Sequence, residues 1–62
     1  MEVDRLKAYE RQAESLIELV GTTPLTDELM RQAEFEEAIM LIQDVAEERG
    51  IVLPRDLATK PI

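Results

Sequence analysis

Glu34, Glu36 and Glu37 fall within four consecutive residues, and Asp44 follows one heptad beyond Glu37. Carboxylates three apart on a helix share a face, and such pairs can hold Mg²⁺ or Mn²⁺. No other stretch of the chain gathers reactive side chains so densely. The companions of a metal-dependent reaction are missing. The sequence has no histidine and no cysteine, so it lacks the commonest metal ligand and general base, and all thiol chemistry. Ser15, Thr22, Thr23, Thr26 and Thr59 have no imidazole to activate them. The two glycines, Gly21 and Gly50, are too few and too far apart for a phosphate-cradling loop. The carboxylates read as a solvated acidic face, and the expectation is a protein that is not an enzyme, with no cofactor and no metal.

One enzymatic pattern is similar. Helical nucleotide pyrophosphohydrolases carry comparable carboxylate clusters on helix pairs, which Glu34, Glu37 and Asp44 resemble. Their longer bundle and the basic residues that would hold phosphates have no counterpart here.

The formal net charge is −7, from 14 acidic and 7 basic residues. Binding to a phosphate backbone needs clustered Lys and Arg, and docking on an anionic membrane needs the same. Neither partner is expected. Phe35 and Tyr9 are the only aromatics, too few for a base-stacking platform. No apolar stretch approaches the roughly 18 residues of a membrane span. The N-terminus lacks the basic-then-apolar pattern of a signal peptide. A cytoplasmic location is the expectation.

The elements that must position these residues are helical. From Glu2 to Val20, Leu6, Tyr9, Ala13, Leu16, Ile17 and Val20 recur on one face, with Asp4, Lys7, Arg11, Glu14 and Glu18 opposite. Gly21 suits a helix C-terminus. Thr23 before Pro24 reads as an N-cap and first helical residue. A second helix is predicted from about 24 to 49, closed by Gly50. On it Phe35, Ala38, Ile39, Ile42, Val45 and Ala46 share a face at about 100° per residue. The two helices are expected to form an antiparallel hairpin over 1–50, followed by an extended C-terminal tail over 51–62.

Five apolar residues in a row, Ala38 to Ile42, pose a packing problem. Such a run points around most of a helix, and helix 1 covers one side only. Leu25, Leu29, Ala33, Met40 and Leu41 lie off the main stripe. With Ile51, Val52 and Leu53 of the tail, they are the expected interface. Small size sharpens the problem: apolar burial contributes about 90 kcal/mol and ordering the chain costs about the same. The expected assembly is a homodimer forming a four-helix bundle, and the expected function is protein–protein interaction, as an adaptor, co-chaperone or inhibitor. At the level of fold alone this resembles small acidic hairpins that accompany secretion subunits or block host proteins on behalf of phages. The alternative is an acidic nucleic-acid mimic that presents Glu10, Glu14, Glu18, Glu36, Glu37, Asp44, Glu47 and Glu48 to a basic groove. The remaining alternative is the carboxylate–metal enzyme.

Overall fold

The computed structural model describes residues 2–61, with side chains from Asp4 to Pro61. Met1 and Ile62, the outer limits of the two predicted segments, lie outside the described residues. All regular structure among the described residues is helical, in four helices.

Helix α1 spans Glu2–Val20. It ends where Gly21 takes a φ of 101°, in the left-handed region that side chains disfavour, while its N–H donates to the Ile17 carbonyl at 2.8 Å. Helix α2 spans Pro24–Arg31. Thr23 is extended (φ −124°), and its hydroxyl accepts the Thr26 amide at 3.2 Å. Pro24 follows, where a missing N–H costs nothing.

The continuous second helix expected over 24–49 is not formed. It breaks at Gln32–Glu34, and α3 begins at Phe35 and runs to Glu48. Ala33 has a φ of 58°. The Glu34 N–H donates to the Leu29 carbonyl at 2.8 Å, and the Ala33 N–H to the Met30 carbonyl at 3.1 Å. This pair of bonds is the Schellman ending, here with alanine in the place usually held by glycine. The end of α3 uses the same device with the usual residue. Gly50 has a φ of 71°, the Ile51 N–H reaches the Ala46 carbonyl at 2.8 Å, and the Gly50 N–H reaches Glu47 at 3.2 Å.

The break changes the topology. Leu6 and Tyr9 of α1 and Phe35 and Glu36 of α3 line one depression, near the N-terminal ends of both helices. At the other end the Arg49 guanidinium donates to the Val20 carbonyl at 3.4 Å. The two long helices therefore run in the same direction. The expected antiparallel hairpin is corrected to a parallel α1–α3 pair, with α2 as the connection that carries the chain back.

The tail is also not simply extended. Pro54 starts a short helix, α4, over Arg55–Ala58. The Leu57 and Ala58 N–H groups both donate to the Pro54 carbonyl, at 3.0 and 2.9 Å. Pro54 precedes the turn and so withholds no N–H from it. The Thr59 hydroxyl closes the turn on the Arg55 carbonyl at 2.9 Å.

The core is built from Ala13, Leu16 and Val20 of α1 and Ile39, Ile42 and Ala46 of α3. Tyr9, Ile17, Met30, Val45, Ile51, Leu53 and Leu57 pack around it. Helix α3 is the central element: it packs on α1, α2 folds back against it, and the tail crosses it through Gln43.

Candidate interaction surface

The run from Ala38 to Ile42 is largely covered from within the chain. Ala38, Ile39 and Ile42 are buried and Leu41 is half-buried. Met40 stays 42% exposed. It points about 160° away from Ile42, so the neighbour that buries Ile42 cannot reach it. Among the other residues expected at an interface, Leu25 is 59% exposed, Val52 is 91% exposed, and Ala33 is exposed. Leu29 is half-buried. Ile51 and Leu53 turn inward and pack on the core. Their inward position follows from the Gly50 turn, which aims the tail back across the molecule.

The residues expected in the core divide similarly. Ala13, Leu16, Val20, Phe35, Ala38, Ile39, Ile42 and Ala46 are buried. Tyr9, Ile17 and Val45 are half-buried against them. Leu6 departs from expectation: it is 48% exposed. Helix α3 begins only at Phe35, and Leu6 lies on the rim of the depression there rather than beneath a neighbour.

Two buried polar residues, Thr26 and Gln43, have no place in a reading by apolar stripes. The Thr26 hydroxyl meets that of Thr23 at 3.0 Å, which satisfies it beside the cap. Gln43 ties down the tail. Its side-chain amide donates to the carbonyls of Leu57 and Thr59, both at 3.0 Å. Gln12, from α1, donates to the same two carbonyls at 3.4 and 2.8 Å. Two glutamines from two helices thus converge on the end of α4, where helical carbonyls otherwise lack donors. The Gln43 Oε1 is buried without a partner, so the clamp is held at some cost. Nothing in a single sequence marks these two glutamines, because the carbonyls they serve lie 45 and 14 residues away along the chain.

The acidic residues stay on the surface. Glu34, Glu36, Glu37 and Asp44 are exposed. Among the described residues no three of His, Cys, Asp or Glu come together closely enough to hold a metal ion. The recorded ion pair, Arg31 to Glu28 at 4.0 Å, joins two well-exposed side chains within one helix and stabilises little. Among the described residues no helix is long and apolar enough to cross a membrane. No protein-family model, curated protein or solved structure matches the chain.

Two depressions of mixed lining adjoin at the N-terminal end of the α1–α3 pair. One, of about 170 Å³, is lined by Leu6, Tyr9, Ala33, Glu34, Phe35, Glu36 and Glu37. The other, of about 340 Å³, is lined by Arg5, Leu6, Tyr9 and Glu36. Leu6, Tyr9 and Glu36 belong to both, so they form one continuous groove.

Proposed function

We propose that the chain is a small acidic protein–protein interaction module that pairs with a second copy of itself through the outward side of α3. The observation that carries this reading is Met40. It remains 42% exposed at the centre of α3, between buried Ile39 and half-buried Leu41. Leu25 and Val52 add large exposed apolar side chains on α2 and the tail. A chain this short gains from any further apolar area it covers. In this reading the molecule carries no catalytic apparatus, and its activity is to occupy or join other protein surfaces. It works in the cytoplasm.

Sedimentation equilibrium at micromolar concentration tests the pairing. The expected mass is twice the 7.1 kDa of one chain. Met40→Glu, which forces a charge into the contact, is expected to return the mass to one chain while the helical signal persists. A wild-type protein of single-chain mass at these concentrations overturns self-pairing.

A second reading is favoured by the exposure of Glu14, Glu18, Glu36, Glu37, Asp44, Glu47 and Glu48. These carboxylates suit a mimic of nucleic acid that occupies a basic groove. Binding to a basic protein that collapses with salt supports the mimic, and salt-insensitive binding supports the apolar module.

A further inference from the structure

We propose that the groove at the N-terminal end of the α1–α3 pair docks a cationic amphipathic segment of a partner protein. A large apolar side chain of that segment sits against Leu6, Tyr9 and Phe35, and flanking Lys or Arg residues meet Glu34, Glu36 and Glu37. The inference rests on the interaction-module reading and names the chemistry of its partner.

Three observations carry it. Leu6, Tyr9 and Phe35 give the groove an apolar part that no described side chain fills. Leu6 is 48% exposed on it, at a level of α1 where the expected packing does not reach. The first part of the groove is walled by three carboxylates and no basic residue, and Arg5 enters only the adjoining part. Those carboxylates are uncommitted: the side chains of Glu34, Glu36 and Glu37 make no hydrogen bond or ion pair with any described residue. Glu34 holds the N-cap position of α3, yet its side chain caps nothing.

Charge selects the occupant. A helix start carries about half a positive charge, and three carboxylates within four residues outweigh it. An anionic or purely apolar segment would leave those carboxylates unpaired beside a desolvated contact, which is unfavourable. A cationic segment without an apolar anchor would gain only screened surface pairing. An apolar anchor with basic flanks satisfies both features of the groove.

The test uses the full chain and a model peptide. The probe is a helical peptide about five turns long with a leucine face and a lysine face. Its binding is followed by fluorescence anisotropy, and its site by amide chemical shifts. Binding is expected, with the largest shifts at Leu6, Ala33 and Phe35. Leu6→Ser is expected to weaken it about tenfold or more through lost apolar contact. The double change Glu36→Gln, Glu37→Gln is expected to weaken it about tenfold at low salt and to flatten its salt dependence. Glu14→Gln with Glu18→Gln, on α1 away from the groove lining, is expected to leave it unchanged.

Equal binding of a lysine–glutamine peptide without leucine overturns the proposal, as does equal binding of a glutamate–leucine peptide. Shifts centred away from the groove overturn it even if Leu6→Ser fails to fold. The fate of self-pairing is read separately. If wild type is a single chain but the probe binds the groove, the groove stands and the α3 pairing falls. If the chain pairs through Met40 but the probe does not bind, only the groove falls.

Discussion

Replacing Ala33 with glycine is expected to stabilise the protein, and the sign of the effect decides between two topologies. Ala33 sits at a φ of 58°, where an L side chain costs about 1–2 kcal/mol that glycine avoids. Glycine also gives the unfolded chain more freedom, which offsets about 0.4–1 kcal/mol of that gain. The side chain is exposed, so removing one methyl group forfeits little packing. The net expectation is a gain of about 0.5–1 kcal/mol. In an unbroken helix the same change would cost about 1 kcal/mol, because glycine is a poor helix former. Urea unfolding followed by far-ultraviolet circular dichroism measures the difference, at one fixed protein concentration so that association does not enter. An unchanged slope with a higher midpoint is the expected result. A lower midpoint, equivalent through the slope to a loss of about 1 kcal/mol, would refute the broken helix, and with it the parallel arrangement of α1 and α3.

Three further substitutions test the core and the tail. Ile42→Ala is expected to cost about 2–5 kcal/mol, and Ile39→Ala a similar amount, because both side chains are fully enclosed and their loss leaves cavities; a loss below about 1 kcal/mol at both sites in thermal unfolding would mean that the α1–α3 seam is not the core. Gln43→Ala is expected to loosen the tail by about 1 kcal/mol, since Leu57 and Thr59 each lose a buried donor. Faster amide exchange at Leu57 and Ala58, with α1 unaffected, is the readout, and unchanged exchange there would show that the clamp does not hold α4.

The parts of this fold that could be read from sequence are those whose signals are local. α1 is legible because its stripe, from Tyr9 to Val20, repeats without interruption, and Gly21 stops it. The start of α2 is legible because Thr23 and Pro24 cap and begin a helix by their own chemistry. The break at Ala33 is not legible. Residues 24–49 contain no glycine or proline after Pro24, and alanine is the strongest helix former of all. Packing overrides that propensity: bending the chain lets α2 lie on α3. α4 was marked in the sequence, since Pro54-Arg55-Asp56 repeats the logic of a proline before a first turn with an acidic residue. Two prolines so close together favour the extended reading instead. The glutamine clamp has no sequence signature, because its acceptors are backbone carbonyls brought near only by the fold.

The same turn bears on what remains to be covered. An unbroken second helix has one intrachain partner, and the run from Ala38 to Ile42 would then require another molecule on a broad front. The reversal at Ala33 supplies α2, and the reversal at Gly50 supplies Ile51 and Leu53. What stays open is narrower: of the run itself only Met40 on the outward side of α3 is exposed, and elsewhere Leu19, Leu25, Val52 and the groove at the end of the α1–α3 pair remain. That groove owes its shape to the break. Ala33 and Glu34 reach its wall because the chain turns there, and Leu6 is left uncovered because α3 starts no earlier than Phe35. A straight helix would carry Glu34 and Glu36 onto different sides, about 160° apart, and would leave no concave surface between them. The strained alanine, the free carboxylates and the exposed leucine are therefore consequences of one local event. A variant that straightens the chain at residue 33 should lose the fold's direction and the docking groove together.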